Sequence, residues 1–233
     1  MQRTVLPVLE SRRPTSDLEF VYNELKQAFM IGEFIPGQRL TLPELAESFG
    51  TSQMPVREAT NRLIVARAIE GAPRRSLRVP EATIERLEML LPLRLQLEGE
   101  ATRLAVRRGC SGIVTELKAI NAEMDVQNEA RDIKTYLRLN QRFHFAVYKQ
   151  CGNSDLVDLI ELLWMRYGPL LNVVRSTGAL SRTGYKWHAE IVDGIIENSP
   201  DKAAVALRAD IFDAAEAIRE PMTARDQASQ KYG

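Results

Sequence analysis

The stretch GTSQMPVREATNRL, residues 50–63, constrains the fold most, because a turn triplet is followed by a proline inside a helical pattern. Val56, Ala59 and Leu63 recur three and four residues apart, which predicts a helix held by one apolar face. Pro55 falls in the first turn of that helix, where its missing N–H breaks no helical hydrogen bond. The stretch therefore predicts a helix that is anchored on one side and presents a mixed polar set on the other.

Two helices are predicted immediately before this stretch, and each begins with a capping box. Ser16 with Glu19, and Thr41 with Glu44, have the spacing at which an N-cap hydroxyl and an acidic side chain satisfy backbone N–H groups reciprocally. Pro43 is compatible with the first turn of the second helix, which is short. A glycine follows each helix and is expected to end it.

The segment after the third helix is typical of two short strands around a turn. In RAIEGAPRRSLRVPE, residues 67–81, Ile69 lies on the first expected strand, and Leu77 and Val79 lie on the second. Three helices followed by a hairpin predict a winged helix-turn-helix domain over residues 16–80.

The charge distribution agrees with a surface that binds nucleic acid. The whole chain has 31 basic and 31 acidic residues, so its net charge is close to zero. Residues 53–80 alone contain six arginines and two glutamates, a local excess of four positive charges. A neutral total therefore conceals a basic segment in the N-terminal domain, where contacts to phosphate would require it.

From about residue 81 onward, helical periodicity replaces the strand signals. Between Thr83 and Arg108, leucines and alanines recur on one helical face, and Pro92 predicts either a kink or two abutting helices. Ser111 can cap the next helix. Further helices are expected near residues 132–150, 154–174, 182–198 and 201–219.

The expected fold class is therefore mainly α, with an N-terminal winged helix-turn-helix and a C-terminal all-helical bundle. The bundle is expected to have roughly six helices over residues 81–222. Residues 1–15 are predicted to form a flexible arm and residues 223–233 a tail.

The composition also bears on the compartment. No run of residues approaches the roughly 18 apolar residues of a membrane-spanning helix, and the N-terminus lacks the apolar core of a signal peptide. Cys110 and Cys151 show neither a disulfide framework nor the spacing of a metal site. These observations predict a cytoplasmic protein with no membrane partner.

The N-terminal motifs resemble the winged-helix domain of the GntR family of bacterial transcription regulators. The resemblance rests on the turn Pro36-Gly37-x-x-Leu40, on the Leu45-Ala46 pair and on the run from Pro55 to Ala59. The helical second domain resembles the FCD (FadR-type C-terminal) ligand-sensing domain. Together the two likenesses cover about residues 16–222.

This resemblance implies a DNA-binding transcription regulator that is not an enzyme. We expect a homodimeric repressor or activator whose two DNA-binding domains bind palindromic, double-stranded operator DNA. A small organic acid effector in the helical domain would change the geometry of the two DNA-binding domains and thereby control operator binding.

The resemblance also implies which residues contact DNA. In the family, the arginine of the Pro-Val-Arg-Glu run contacts the operator, and Arg57 occupies that position. Arginine can bind guanine with two hydrogen bonds or hold a phosphate. The arginines of the Pro-Gly turn and of the wing would contact phosphate or the minor groove. The complete predicted set is Arg39, Ser52, Gln53, Met54, Arg57, Asn61, Arg74 and Arg75.

Three positions depart from the family pattern. Gln53 stands where arginine is usual, Met54 where threonine is usual, and Ser76 where the wing usually has glycine. Glutamine pairs with adenine whereas arginine pairs with guanine, so we expect an operator that differs from the usual one. The alternative is that the helix-turn-helix serves as an interaction module, with Arg57 as a solvated surface charge.

A metal site is the second implied feature. Asn140 and His144 are four residues apart and therefore share one helical face. The resemblance to FCD domains of the metal-binding kind implies that Asn140, His144, His188 and Asp210 bind a divalent ion such as Zn, Ni or Mn. A carboxylate at residue 210 replaces a usual histidine, which favours harder ions or weakens binding.

Three alternatives to this metal-dependent effector pocket stay open. The two histidines could be core residues satisfied by hydrogen bonds. The effector pocket could be free of metal. His144, His188 and Asp210 could also form the two-histidine, one-carboxylate site of a metal-dependent enzyme, although the sequence supplies no evident general base or nucleophile.

Effector binding is assigned to two residues. Arg94 lies on the apolar stripe of the first helix of the bundle, where an unpaired charge is costly. It could hold an effector carboxylate, or it could form a structural pair with Glu98 one turn later. Tyr148 is a second candidate for effector contact, and Trp164, Arg166 and Trp187 are further candidates for the pocket wall.

Overall fold

The computed structural model describes residues 17–71, 77–177 and 184–232, and for residues 184 and 225–232 it describes the backbone alone. The helices of these ranges are α1 (Asp17–Met30), α2 (Leu42–Phe49), α3 (Gln53–Val65), α4 (Ile84–Arg107), α5 (Val114–Glu129), α6 (Ile133–Tyr148), α7 (Ser154–Thr177), α8 (Gly184–Ile196) and α9 (Pro200–Tyr232). Two short strands are β1 (Arg39–Leu40) and β2 (Leu77–Arg78). None of these helices combines the length with the apolar character that a bilayer crossing requires.

The first three helices form the N-terminal domain. The hydroxyl of Thr41 accepts a hydrogen bond from the backbone N–H of Glu44 and donates to its carboxylate, so this capping pair is present. Gly50 ends α2 with a φ of 62°, a left-handed conformation that glycine adopts without strain. Ser16 lies outside the described residues. Ser52 occupies the N-cap position of α3, but its side chain makes no capping bond.

The apolar face of α3 holds this helix on its domain. Val56, Ala59 and Leu63 are each fully buried, as their spacing predicts. They pack against α1, whose own stripe includes the buried side chains Leu25 and Phe29. The opposite face of α3 is therefore fixed in orientation without being covered.

The wing differs from the predicted hairpin. β2 pairs antiparallel with β1, so that Leu77 lies opposite Leu40. Glu70 contributes a single isolated bridge to Arg78, and Ile69 is buried but belongs to no strand. Glu70 and Arg78 exchange two backbone hydrogen bonds, whereas Val79 bonds to Gly37 and Gln38 before β1. The pairing with the first expected strand therefore stops after one residue pair.

Over its described residues, the C-terminal domain contains the six α-helices α4 to α9, in agreement with the prediction. The helix α4 runs unbroken through Pro92, so the expectation of two abutting helices is wrong. Pro92 itself is exposed, but α4 has buried residues both before and after it. Packing of these residues stabilises the helix on both sides of the proline. The helix α9 continues past residue 222 to Tyr232, so the segment assigned to a tail is helical.

The long helices α4 and α9 pack side by side in antiparallel directions. Arg103 near the end of α4 pairs with Asp201 at the start of α9 at 2.9 Å, and Arg219 pairs with Glu88 at 2.7 Å. The other face of α9 packs against α8. This arrangement brings residues of α6, α8 and α9 together in the interior of the bundle.

The helix α7 joins the two domains. Lys26 of α1 pairs with Glu161 at 2.8 Å, and Asn172 donates a hydrogen bond to the carbonyl of Gly32 at 3.1 Å. Arg166 donates to the carbonyl of Ala66 at the end of α3, at 2.7 Å. Arg166 therefore contacts the N-terminal domain, and its assignment to the pocket wall is wrong.

Candidate functional site

The exposed face of α3 carries most of the residues predicted to contact DNA. Ser52, Gln53, Met54 and Arg57 are exposed, and Asn61 is half-buried. These side chains project from the side opposite the buried stripe, as a helix lying in a major groove requires.

Basic side chains near α3 differ in whether they are free to contact DNA or are already paired with an acidic residue. Arg57 and Arg39 are exposed and take part in none of the ion pairs formed among the described residues. Arg62 is held by Glu19 at 2.8 Å. Arg39 lies on β1, beside the base of the wing. Arg74 and Arg75 fall outside the described residues, so their predicted contacts to DNA stay a prediction.

The interior of the C-terminal domain holds a cluster of His144, His188 and Asp210, here called the His–His–Asp cluster. They come from α6, α8 and α9, all three are buried, and one ligand atom of each lies within 4.8 Å of the others. Nε2 of His144 is 3.2 Å from Oδ2 of Asp210, and Nε2 of His188 is 3.6 Å from the same oxygen. Sequence reasoning named all three residues.

The surroundings of His144 and Asp210 favour the protonation states in which these two residues bind metal. Burial lowers the pKa of His144 below its ordinary value, although Asp210 opposes this effect. Burial would raise the pKa of Asp210, but His188 and His144 outweigh it and hold that pKa below its usual range. A neutral imidazole and an ionised carboxylate are the forms that act as ligands.

A cavity of about 50 Å³ lies beside the cluster, with room for a few water molecules or a small organic group. Its wall includes His144 and Asp210, together with Asn140 one helical turn before His144. Tyr136 and the apolar side chain of Leu171 are also part of this wall. The predicted metal ligands and the cavity are thus parts of one site.

Arg94 forms the structural pair considered for it and also lines the cavity. Nε of Arg94 donates to Oε1 of Glu98 at 2.6 Å, and Nη2 donates to Oε2 at 3.3 Å, so the structural pair is present. Its guanidinium carbon lies 4.7 Å from the ring centre of Trp164 and 4.3 Å from that of Tyr167. Arg94 also lines the cavity, where it can face a bound anion.

Tyr148 does not line the cavity, in contrast to its predicted contact with an effector. It is fully buried, and its hydroxyl donates to Oε2 of Glu98 at 2.6 Å. The same hydroxyl lies 3.3 Å from Nδ1 of His144. The side chain of Tyr148 therefore lies behind the imidazole of His144, away from the cavity.

Two polar residues of the site were missed in the sequence. Asn121 of α5 is buried, and its Oδ1 lies 3.2 Å from Nδ1 of His188. Its position on the buried stripe of α5 was the available signal, because an amide there needs a partner. Tyr167 lines the cavity, and its buried hydroxyl has no hydrogen-bond partner among the residues that the structure describes. Burial raises the pKa of Tyr167 to about 12.

A winged helix-turn-helix joined to a helical domain with a buried polar cavity defines a DNA-binding transcription regulator with a ligand-sensing domain. Residues 18–79 match the family model described as bacterial regulatory proteins, gntR family, and residues 85–213 match the FCD domain model. The chain therefore belongs to the GntR family of bacterial transcription regulators, in the group that carries a C-terminal FCD domain.

Individual relatives agree with this assignment. The chain is 35% identical to the HTH-type transcriptional regulator McbR of Escherichia coli (strain K12) over 152 residues, which cover 65% of this chain and 69% of McbR. It is 29% identical to the HTH-type transcriptional regulator YdhC of Bacillus subtilis (strain 168), over 64% of this chain and 67% of that protein. These names confirm the expectation of a regulator that is not an enzyme.

Solved structures show the same two-domain architecture. The structure of E. coli McbR/YncC superposes with a TM-score of 0.80 at 28% identity, covering 93% of this chain and 100% of that one. A GntR-type regulator from Rhodococcus sp. RHA1 superposes with a TM-score of 0.70 at 20% identity, over 88% of this chain and 99% of its own, which supports the fold alone.

Proposed function

We propose that this regulator binds a divalent metal ion at the His–His–Asp cluster and that a small carboxylic acid bound beside this ion controls its affinity for operator DNA. The observation that carries the proposal is the convergence of three buried ligand atoms within 4.8 Å. Two imidazoles and a carboxylate that approach one another in this way in a protein interior are typical of a metal site.

The donor set supports the metal in two further ways. Within the described part of the chain, Nε2 of His188 is buried without a hydrogen-bond partner, which is costly unless something binds it. The cluster also offers two imidazoles and a carboxylate, a set that suits zinc, nickel or manganese. The amide oxygen of Asn140, on the same wall, is a fourth candidate donor.

The charges of the residues around the cavity explain why binding of an acid would require the metal. Glu98 neutralises Arg94 through two hydrogen bonds, so among these groups Asp210 carries the one uncompensated charge of the site. A carboxylate entering next to Asp210 would be repelled. A divalent ion changes the net charge of the site from negative to positive, and it supplies open coordination positions for an anionic ligand.

Neutral and charged groups on the cavity wall would orient the acid. Arg94 lines the cavity, and its Nη1 is not bonded to Glu98. Tyr167 offers a hydroxyl that has no hydrogen-bond partner among the described residues and that its raised pKa keeps protonated. The apolar part of the wall, including Leu171, would contact the carbon chain. A cavity of about 50 Å³ favours a small acid.

The metal is tested first, by elemental analysis of purified protein and by thermal unfolding after dialysis against chelator and addition of Zn²⁺. A ligand at a hundred times its dissociation constant stabilises the folded state by about 2.7 kcal/mol, which should raise Tm by several degrees. The variant Asp210→Asn should lose this shift. No bound metal and no shift with Zn²⁺, Ni²⁺ or Mn²⁺ would refute the proposal.

The acid is tested with acetate as a minimal carboxylate and acetamide as its uncharged counterpart of similar shape. We expect acetate to raise the Tm of the zinc-loaded protein and to leave the Tm of the metal-free protein unchanged. Acetamide should have little effect in either form. Equal stabilisation by acetate with and without zinc would support the alternative of a metal-free effector pocket.

We further propose a cytoplasmic homodimer that places two α3 helices on one palindromic operator. Met89 and Leu93 of α4, and Phe212 of α9, project apolar side chains into solvent from two helices that pack together. Such surfaces commonly form protein interfaces. Light scattering should give twice the mass of one chain, and Leu93→Lys should lower that mass, whereas Val126→Lys on the surface of α5 should not.

A further inference from the structure

The imidazole rings of the His–His–Asp cluster are each held from behind by a polar residue that lies outside the cavity. Asn121 contacts Nδ1 of His188, and Tyr148 contacts Nδ1 of His144. In both rings it is therefore Nε2 that faces Asp210. The contacts of Asn121 and Tyr148 with Nδ1 bear on which nitrogen of each ring carries the proton.

For His188, the orientation of the Asn121 amide decides the answer. Nδ2 of Asn121 donates to the backbone carbonyl of Tyr185 at 3.3 Å, and a carbonyl can only accept. This bond turns Oδ1 of Asn121 toward His188, 3.2 Å from Nδ1. An amide oxygen is an acceptor, so Nδ1 of His188 carries a proton, and in the neutral ring Nε2 presents a lone pair.

For His144, the single proton of the Tyr148 hydroxyl decides it. That proton is directed to Oε2 of Glu98 at 2.6 Å, since a carboxylate paired with Arg94 can only accept. Trp164 donates to the same Oε2 at 3.0 Å and helps to fix its position. The Tyr148 oxygen is left as an acceptor for Nδ1–H of His144, at 3.3 Å.

We infer that Asn121 and Tyr148 are positioning residues that hold His188 and His144 as Nδ1–H tautomers, so that both Nε2 lone pairs face one bound metal ion. This inference rests on the proposed function, because it assigns the surroundings of the same site. Outer contacts of this kind fix the ring orientation and the basicity of metal-ligating histidines. Neither residue touches the metal or the effector.

Glu98 consequently links two parts of the site. Its Oε2 accepts from Tyr148 behind His144, while its Oε1 accepts from Arg94 on the cavity wall. A displacement of Arg94 by a bound anion would be transmitted through Glu98 and Tyr148 to the ring of His144. The pair that neutralises Arg94 thus also supports a metal ligand.

The test has two independent readouts, and the chain has two histidines in total, so their signals are readily separated. The first is a long-range ¹H–¹⁵N spectrum of ¹⁵N-labelled full-length protein, in which protonated and unprotonated ring nitrogens have distinct shifts. We expect the Nδ1–H tautomer for His188 in the metal-free protein, and for both rings with Zn²⁺. A proton on Nε2 of His188 in the metal-free protein would overturn the inference, whether or not metal binds.

The second readout is Zn²⁺ affinity by competition with a chromophoric chelator. Asn121→Leu and Tyr148→Phe should each weaken binding by about 10–100-fold, the usual effect of removing an outer-shell partner. Asn121→Asp keeps the acceptor and should retain binding. Affinities unchanged in both Asn121→Leu and Tyr148→Phe would overturn the inference while leaving the metal site intact, whereas absence of zinc binding by the unaltered protein would refute the proposed function instead.

Circular dichroism separates these effects from misfolding. If Asn121→Leu loses its fold, Asn121→Ser supplies a smaller change at the same position. The positioning role is supported if Asn121→Ser is folded but binds zinc more weakly, and Asn121→Asp binds zinc as tightly as the unaltered protein. Equal zinc affinities of Asn121→Ser and Asn121→Asp would contradict it.

Discussion

Gly168 of α7 lies against the backbone carbonyl of Phe29 in α1, so closely that a β-carbon at residue 168 would overlap the carbonyl oxygen. Gly32, with a φ of 67°, approaches the same part of α7 from the other domain. The helix α7 also contributes Trp164 and Tyr167 to the cavity wall. One rigid helix therefore contacts both the effector cavity and the N-terminal domain, with no free space between the backbones at Gly168.

This contact predicts that Gly168→Ala separates α1 from α7. Because the obstructing atom belongs to the backbone, the two helices must move apart, and overpacking of this kind costs about 1–3 kcal/mol. Urea denaturation should measure the lower free energy of unfolding, and hydrogen exchange should increase around residues 29–33. Gly112→Ala is the matched control, since a β-carbon at residue 112 meets open space. Equal stabilities for both variants would contradict the prediction.

The buried Arg94–Glu98 pair predicts non-additive substitutions. Removing one partner leaves the other as an uncompensated buried charge, so Arg94→Met and Glu98→Gln should each destabilise by about 3–5 kcal/mol. The double variant should lose much less than the sum of the two. Urea denaturation of the four proteins gives the coupling free energy. Additive losses would show that the pair contributes no mutual stabilisation.

The same pair illustrates how far the sequence determines a site. Arg94, Glu98, His144, His188 and Asp210 could all be named from helical spacing and from family resemblance. The spacing of residues along the sequence shows which face of a helix they share, but it does not show how far they lie from residues on other helices of the bundle. Tyr148 was therefore assigned to the cavity, although it lies behind His144.

The fold was predictable in its helices and less so in its strands. Caps, glycines and apolar periodicity are local signals, and they placed α2, α3 and the helices of the C-terminal domain. The pairing of β2 with β1 depends on contacts between residues distant in sequence, so a local hairpin pattern missed it, although the predicted arms do meet in the bridge between Glu70 and Arg78. Arg166 was misassigned for the same reason, because its partner is a backbone carbonyl of the other domain.

The lowered pKa of His144 predicts how the stability of the metal-free protein depends on pH. Burial holds the pKa of folded His144 below the ordinary value of 6.5, so below that pH the unfolded chain binds a proton that the folded protein does not. The free energy of unfolding should therefore fall as the pH falls through 6.5. One such group contributes at most about 1.36 kcal/mol per pH unit. Denaturation of His144→Gln between pH 7.5 and 5.5 should show a smaller slope, and an unchanged slope would contradict this assignment.

The exposed Arg57 of α3 predicts a specific loss of DNA affinity. Arg57→Ala should weaken binding to the operator by about 1–3 kcal/mol if the guanidinium contacts a base. Arg107→Ala, at an exposed position in the C-terminal domain, removes the same charge and should have little effect. Titrations at several salt concentrations distinguish the two kinds of contact, since loss of a phosphate contact lowers the salt slope by about one. Unchanged affinity would exclude Arg57 from the interface.

Gln53, at the exposed start of α3, predicts the base preference of this regulator. Glutamine accepts from and donates to adenine, whereas arginine makes two hydrogen bonds to guanine. Selection of bound sequences from a random DNA pool should therefore give adenine at the position that Gln53 contacts, and Gln53→Arg should change that position to guanine. Ser48→Arg, on the exposed surface of α2, is the control for a non-specific gain of charge. If Gln53→Arg and Ser48→Arg raise affinity equally without changing the selected bases, Gln53 does not contact a base.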